Sequence, residues 1–336
     1  MQQNLGLTLR IAVALCLLAC VQTAVFAQGD ADLTAKGRLF PSIGPGLRAV
    51  RRGADGRTYI LASPSPGLVV MDAKGQQVLA IPTAQPGAKP VLGGIVFGED
   101  CDADAEGRIY IADRGGNSVA VFSPNGLLLR SISVPAPTSV AALGEGEVAV
   151  ATLREPHLVI VFDKNGREVR DFGDPEQISD RADLNRFLNI GDLDTDTKGH
   201  LFYAFAYAPE PTVRQYDRQG YSAGPDIQYT ALEAASEAQA VRREIIHQEK
   251  HQKSPYFKRV LNAVGVDRTT GEVWMAVGNT LMRFDKDGSR RASYQMYTPE
   301  GARLVIKTIV IEPGHLIVGS DPLGIYDFDR PDKVSH

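Results

Sequence analysis

Residues 104–126 read DAEGRIYIADRGGNSVAVFSPNG and contain two short apolar runs, each bounded by turn residues. The first run follows Gly107 and is rich in isoleucine and tyrosine, which favour β-strands. The second run ends at Phe122, and Ser123 is followed three residues later by Gly126, a spacing typical of hairpin turns. The stretch therefore predicts two neighbouring strands of an antiparallel sheet.

Both halves of this stretch recur six times along the chain. A glycine precedes the first strand of each copy, at Gly56, Gly107, Gly146, Gly199, Gly271 and Gly314. An apolar residue precedes the turn of each copy, at Met71, Phe122, Phe162, Tyr216, Phe284 and Phe328. We call these two series of residues the first and the second column. The spacing between successive residues changes in the same way in both columns, which indicates one unit repeated with loop insertions. Four short strands in a unit of about 40 to 50 residues are typical of a propeller blade, so the sequence predicts an all-β, six-bladed β-propeller.

The second copy also carries a family resemblance. It has the Asp-x-x-Gly turn at residues 104–107, a strand ending in Ala112-Asp113, Gly116-Asn117 before the next strand, and Phe122 before a glycine turn. In these features it resembles an NHL repeat, and the chain is similar to six-bladed NHL-repeat propellers of the exported bacterial type. The resemblance implies a repeat fold, not a particular chemistry.

The ends of the repeat region predict how the ring closes. We expect one propeller domain over residues 36–332, and the sixth copy stops at Asp332 before an outer strand could follow. Residues 38–43, RLFPSI, form a strand candidate before the first copy. We therefore expect this segment to pair with the sixth blade and remove its free edge.

The first 27 residues have the pattern of a signal peptide. Arg10 precedes an apolar run over residues 11–27, and Val25-Phe26-Ala27 suits cleavage before Gln28. This predicts a secreted or periplasmic protein, and the run is short for a membrane span. The alternative is a lipoprotein anchored at Cys20. Cys101 is then the only cysteine of the mature chain, and we expect it to be a small buried residue.

Composition and charge exclude several other classes of protein. The chain is 43% apolar and 23% charged, which suits a folded domain and excludes a disordered protein or a coiled coil. Its 36 basic and 40 acidic residues give a net charge of −4, so we expect no nucleic-acid partner. We expect a monomer with no membrane span.

A helical insertion interrupts the repeats between the fourth and fifth copies, at about residues 230–253. Thr230 and Glu233 form a capping box, and apolar residues at helical spacing predict a helix over residues 231–252. This connection belongs to the propeller face that carries the loops between second and third strands. The helix either covers apolar surface or acts as a functional lid. His247 and His251 are spaced to share a metal, although their polar neighbours indicate a solvated helix end.

Four carboxylates are candidates for a metal site in the central channel: Asp100, Asp102, Asp192 and Asp194. Each pair lies on one side of an innermost strand, and carboxylates between packed blades would be costly to desolvate, so we expect them to face a water-filled channel. Three alternatives remain open: a solvated channel in which Arg51 and Lys307 balance the acids, a calcium site, or an enzyme site in which a cation polarises an ester or lactone carbonyl. Six-bladed lactonases and arylesterases share the architecture, but their motifs are not found here.

The loops and strand starts supply candidate ligand contacts: Arg114, Asn117, Arg154, His157, Asn189 and Asn262. No P-loop, H-E-x-x-H or C-x-x-C motif occurs. We therefore predict an exported binding module for a protein, peptide or glycan on the helix-bearing face. The alternative is a calcium-assisted hydrolase or lyase with its site in the channel, so the sequence leaves enzymatic activity open.

Overall fold

The computed structural model describes residues 31–84, 94–153, 156–229 and 235–331, and these form a six-bladed β-propeller. Blade 1 contains β3 (Leu47–Arg52), β4 (Thr58–Ala62), β5 (Gly67–Met71) and β6 (Gln77–Pro82). Blade 2 contains β7 (Gly98–Ala103), β8 (Ile109–Asp113), β9 (Ser118–Phe122) and β10 (Leu128–Ser133). Blade 3 contains β11 (Pro137–Gly144), β12 (Glu147–Thr152), β13 (Val159–Phe162) and β14 (Glu168–Phe172).

The other three blades repeat this antiparallel order. Blade 4 contains β15 (Gly191–Thr195), β16 (Leu201–Phe205), β17 (Thr212–Tyr216) and β18 (Ile227–Gln228). Blade 5 contains β19 (Leu261–Val266), β20 (Val273–Val277), β21 (Thr280–Phe284) and β22 (Arg290–Tyr297). Blade 6 contains β23 (Thr308–Glu312), β24 (His315–Ser320) and β25 (Gly324–Asp329).

The first described segment closes the ring, as the sequence predicts. β2 (Gly37–Leu39) pairs antiparallel with β25 and becomes the outer strand of blade 6. The preceding strand, β1 (Ala31–Thr34), pairs in parallel with β22 and adds a fifth strand to blade 5. This second pairing was not predicted, because the sequence ADLT is too short and polar to show a strand pattern. One segment therefore holds the outer edges of two neighbouring blades.

Both repeat columns have a structural reason. Each glycine of the first column has a positive φ, between 75° and 82°, which glycine adopts without the steric penalty of a side chain. Each apolar residue of the second column lies near the end of its blade's third strand and is at most 7% exposed. The columns therefore mark a turn that requires glycine and a core position that requires a large apolar side chain.

The hydrophobic core lies between the blades. Among the described residues, six apolar clusters form, and each lies between two adjacent blades around the ring. Cys101 is fully buried in the cluster between blades 1 and 2, and burial raises the pKa of its thiol, so it is a packing residue as expected. Because every blade buries both faces against neighbours, the innermost strands are held rigidly around the axis.

Two helices occur in the described part of the chain, both in connections that lead into an innermost strand. Helix α1 (Ala182–Leu188) lies between blades 3 and 4 and was not predicted. Helix α2 (Ala235–His251) is the predicted insertion between blades 4 and 5; the proposed capping residues Thr230 and Glu233 lie outside the described residues. The buried Val241 and Ile245 of α2 pack into the cluster between blades 4 and 5.

Candidate functional site

The innermost strands of all six blades begin around one small cavity, which we call the channel mouth. Its volume is about 100 Å³. It lies on the face formed by the connections between blades and by the loops between second and third strands, the same face that carries α2. The residues that line it are Arg48, Ala49, Arg51, Glu99, Asp100, Arg114, Thr138, Phe187, Ile190, Asp192, Tyr207, Arg259, Ala263, Val264, Lys307 and Thr308.

β-bulges decide which side chains reach the channel mouth. The pairing of β3 with β4 steps from Leu47 to Ala49, so Arg48 is an extra residue in the ladder. The pairing of β7 with β8 steps in the same way from Gly98 to Asp100 and leaves Glu99 extra. A bulge re-aims side chains that strict alternation would place on the other side of the strand. Arg48 and Glu99 were therefore not predicted as site residues.

Arg51 closes the channel directly below the mouth. Its Nη2 donates to both carboxylate oxygens of Asp100, at 3.1 Å each, and to the carbonyl oxygen of Leu193 at 3.1 Å. Its Nε donates to the carbonyl oxygen of Cys101 at 3.2 Å. The Arg51 guanidinium thus joins the innermost strands of blades 1, 2 and 4 across the axis.

Asp100 is a buried carboxylate with a perturbed pKa. Burial raises its pKa to about 6, while Arg51 and the hydroxyl of Ser139 act in the opposite direction. The Ser139 hydroxyl donates to Asp100 and accepts a hydrogen bond of 2.9 Å from the backbone N–H of Leu193. Asp100 is therefore buried at the base of the channel mouth rather than immersed in a wide aqueous channel.

Two further ion pairs line the walls of the channel mouth. Arg259, which follows α2, donates to both oxygens of Asp192 at 2.5 Å. Arg114 donates to Glu99 at 2.9 Å, and Arg48 lies 3.6 Å from the other oxygen of Glu99. The segment between α2 and β19 thus contributes the Arg259 guanidinium, while α2 itself does not line the cavity.

Lys307 differs from the other cations of the channel mouth. Among the described residues, no carboxylate oxygen lies within 4.0 Å of its ammonium. Burial lowers the pKa of Lys307, and the neighbouring Arg259 and Arg48 lower it further against the weaker attraction of Asp321 and Asp192. The half-buried Lys307 ammonium therefore has no counter-ion of its own in the described part of the chain.

The other two predicted metal ligands lie away from the channel mouth and bond to neighbouring blades. Asp102 accepts a hydrogen bond of 2.9 Å from the backbone N–H of Ala142, and Asp194 accepts one of 2.8 Å from that of Val266. Each carboxylate therefore links its own innermost strand to that of the next blade. Within the described ranges, no group of three or more His, Cys, Asp or Glu residues is arranged to hold a metal ion.

The predicted ligand contacts are distributed over several places. Arg114 lines the channel mouth, whereas His157 and Asn189 line a separate cavity of about 290 Å³ beside α1. Asn117 has a positive φ of 49° and its side chain accepts a hydrogen bond from the backbone N–H of Ala136, so it joins the turn between β8 and β9 to the segment before β11. The bulged Asn262 donates to the carbonyl oxygen of Gly278, and Arg154 lies outside the described residues.

The helix α2 is anchored along its C-terminal half. Arg181, just before α1, donates to the carbonyl oxygens of Gln248 and Lys253, at 2.8 Å each. The His247 and His251 rings lie 4.6 Å apart between centroids at this end, and the Lys253 ammonium lies 2.9 Å from His247 Nε2. The helix is thus packed against the connection between blades 3 and 4, beside the channel mouth.

Comparison with known proteins shows the fold but no family. No protein-family model matches the sequence, and no curated protein matches it. Virginiamycin B lyase from Staphylococcus aureus is 10% identical, with a TM-score of 0.51 over 87% of this chain and 88% of that chain. The calcium-binding protein regucalcin from Agrobacterium tumefaciens is 13% identical, with a TM-score of 0.54 over 90% and 95%. The WD40 repeats of RRP9 are 9% identical, with a TM-score of 0.55 over 89% and 99%.

These likenesses establish a six-bladed propeller whose structural neighbours include a lyase and a calcium-binding protein. A shared propeller fold is compatible with a binding module and with an enzyme. In the part of the chain that the structure describes, no helix has the length and apolar character needed to cross a bilayer.

Proposed function

We propose that this protein is an exported, monomeric binding module of the NHL type that holds an anionic group of its ligand in the channel mouth. The observation that carries the proposal is the Lys307 ammonium, which is half buried beside Arg259 and Arg48 and has no carboxylate within ion-pair distance among the described residues. A cation in this position gains a partner when an anion enters. The ligand on the helix-bearing face is then a peptide or glycan that presents a carboxylate.

The balance of charge supports an anionic ligand. Five cationic side chains line the channel mouth, Arg48, Arg51, Arg114, Arg259 and Lys307, against three acidic ones, Glu99, Asp100 and Asp192. The difference is two positive charges when all eight are ionised. Each of the three acids already has an arginine partner, so the excess lies with Lys307 and Arg48. Charge-assisted hydrogen bonds to a carboxylate are stronger than neutral ones.

The size of the channel mouth limits what can enter it. The cavity, with a volume of about 100 Å³, has room for a small acidic group. The remainder of a peptide or glycan ligand would lie on the outer face, beside the exposed side chain of Arg114. The cavity would select an acidic group, and the surrounding loops would select the molecule that carries it.

Replacing Lys307 by methionine should weaken binding of an acidic ligand. A hydrogen bond to a charged group contributes about 1.5 to 3 kcal/mol, so we expect Kd to rise roughly 10- to 150-fold. Isothermal titration with tri-glutamate and with a galacturonate trisaccharide would separate the peptide and glycan sources. Tri-glutamine and a neutral galactose trisaccharide are the matched ligands without carboxylates.

The matched control variant is Lys74→Met. Lys74 is exposed in the turn between β5 and β6, on the opposite face of the propeller. We expect this variant to bind as the unchanged protein does. Equal loss of affinity in both variants, or equal binding of acidic and neutral ligands, would contradict the proposed function.

Binding should also depend on pH through Lys307. Since burial and the two arginines hold its pKa below the usual 10.5, the ammonium begins to lose its proton below that value. An anion favours the charged form, so affinity should be greatest below the pKa of Lys307 and should fall as pH rises through it. Titrations at about pH 7 and about pH 10 would show this decrease. The decrease should be smaller in Lys307→Met; the same slope in both proteins would exclude Lys307 as its source.

The alternative function is a calcium-assisted hydrolase or lyase in the same channel. It is favoured by the carboxyl group of Asp100, whose pKa of about 6 suits general acid–base chemistry, and by structural neighbours that include virginiamycin B lyase and regucalcin. The residues fit a cation poorly, because Asp100 and Asp192 already face guanidinium groups. Asp102 and Asp194 would have to exchange backbone hydrogen bonds for the metal.

Calcium should therefore leave the stability of the protein unchanged. A cation that bound only the folded state would add about 2.7 kcal/mol at 100-fold excess over its Kd. We expect the same melting midpoint in chelator and in excess calcium, measured by circular dichroism. A rise in calcium that disappears in Asp102→Asn and Asp194→Asn would instead favour the metal-assisted enzyme.

A further inference from the structure

We infer that Lys307 binds its ligand covalently, through an imine between its side-chain amine and the carbonyl carbon of a 2-oxo carboxylate held in the channel mouth. The inference rests on the proposed function, because the cationic cavity must first hold the carboxylate. It adds a ligand class, a small acid with a ketone or aldehyde next to the carboxyl group. It also adds a reversible chemical step.

Lys307 is exceptional among the lysines of this protein. Nine lysines lie in the described ranges, and eight of them are exposed: Lys36, Lys74, Lys164, Lys198, Lys250, Lys253, Lys258 and Lys286. Lys307 alone is half buried, and it lines the channel mouth. The backbone N–H of Lys307 donates to the carbonyl oxygen of Gly319 at 2.8 Å, which fixes the start of its side chain at the beginning of β23.

The surroundings of Lys307 lower its pKa and so make the neutral, nucleophilic amine more accessible than in an ordinary lysine. Ordinary lysines are almost wholly protonated near neutral pH, and desolvation or a neighbouring cation is the usual way to activate one. Both conditions hold here: Lys307 is partly buried, and Arg259 and Arg48 lie near it, with Asp321 and Asp192 acting in the opposite direction. Arginine cannot replace the lysine in this chemistry, because its guanidinium stays protonated.

Arg48 and Arg259 would also position the substrate. Arg48 shares its only carboxylate partner in the described residues with Arg114, so its guanidinium has hydrogen-bond capacity left for a ligand. A carboxylate bound between Arg48 and Arg259 would place the adjacent carbonyl carbon within the same small cavity as the Lys307 amine. A neutral ketone would lack this anchor and a hydroxy acid would lack the carbonyl.

The step balances without any additional reagent. The lone pair of the amine forms the C–N bond, and the π electrons of the carbonyl move to its oxygen, which takes one proton from the nitrogen. The C–O bond of this carbinolamine then breaks, and the oxygen leaves as water with the second proton of the amine. The nitrogen lone pair forms the C=N bond, so no oxidant or reductant is consumed.

Trapping with pyruvate and sodium borohydride tests the imine on the full chain. Reduction would fix it as a stable amine that adds the mass of pyruvate less one oxygen atom, and peptide mapping by mass spectrometry would locate it. We expect one adduct, at Lys307, formed about tenfold or more faster than at the exposed lysines near pH 8. Lys307→Arg should abolish it, and Lys74→Arg, the matched control, should retain it. Melting midpoints would verify that both variants are folded.

Lactate separates this inference from the proposed function, since it has the carboxylate of pyruvate without the ketone. We expect lactate to bind by isothermal titration and to compete with adduct formation. If lactate binds but no adduct forms, or adducts spread evenly over the exposed lysines, the imine is excluded and the anion site stands. If neither lactate nor pyruvate binds, both proposals fail.

Discussion

Deleting residues 31–43 should abolish the cooperative unfolding of the propeller. The deletion removes β1 and β2 together, exposes the edges of β22 and β25, and leaves blade 6 with three strands. It also removes Ala35 and Ile43, which are 6% and 4% exposed in the clusters at the two interfaces of blade 6. Without this segment the last blade is joined to the ring by fewer contacts on every side, and unpaired edges favour aggregation.

Circular dichroism during thermal and urea denaturation would measure the effect of the deletion. The control is Lys36→Ala within the same segment, which breaks an exposed ion pair with Asp329 and should change stability by less than about 1 kcal/mol. A deletion variant that keeps a sharp transition at the original midpoint would show that the ring closes without β1 and β2.

Replacing Arg51 by methionine should lower the free energy of unfolding by about 3 to 5 kcal/mol at pH 8, the usual effect of leaving one member of a buried ion pair alone. The side chains of Arg51 and Asp100 are 11% and 9% exposed, so water does not replace the lost partner. The substitution also removes the hydrogen bonds to Leu193 and Cys101 that link three blades across the axis.

The loss of unfolding free energy caused by Arg51→Met should be larger at pH 8 than at pH 5. Burial raises the pKa of Asp100 from its usual 3.8 to about 6, so the folded protein holds this proton more tightly than the unfolded chain does. Ionisation of Asp100 therefore lowers stability as pH rises from about 4 through 6. Above that range Arg51 compensates the charge, and without Arg51 the full penalty appears. At pH 5, below the pKa of about 6, Asp100 is mostly protonated in the folded protein and needs the Arg51 charge less.

Urea denaturation of two variants at both pH values would test this assignment. Arg57→Met is the matched control, because Arg57 lies in the same blade and its ion pair with Asp55 is more exposed, at 38% and 30%. We expect it to change stability by less than about 1 kcal/mol. Adding Asp100→Asn to Arg51→Met should recover part of the loss at pH 8. A loss that does not depend on pH and is not recovered would mean that Arg51 acts through packing alone.

These two effects are connected with the proposed site. The ring closure brings β23 of the last blade beside β3 of the first, and so places Lys307 near Arg48, which is 259 positions earlier in the sequence (307 − 48). Arg51 and Asp100 form the base of the same cavity. The groups that stabilise the centre of the ring therefore also shape the surface on which a ligand would rest.

The repeat pattern alone was sufficient to predict the architecture. A glycine with positive φ and a buried apolar residue before a turn are local requirements, so they appear at the same place in each copy whatever the loops between them. The number of blades, the insertion between blades 4 and 5, and the pairing of residues 37–39 with the last blade follow from counting these copies. The predicted NHL membership and the signal peptide, by contrast, concern features that the fold does not test.

Only the tertiary structure decided which charges meet. Alternation along a strand predicts that Asp100 and Asp102 share a side, but it cannot show that bulges turn Arg48 and Glu99 toward the same cavity. Nor can it pair Asp192 with Arg259, which lies 67 positions later beyond a helical insertion. A bulge depends on how two strands fit together, and an ion pair across the axis depends on the closure of all six blades. Such contacts are set by packing between distant segments, so the sequence of one repeat does not predict them.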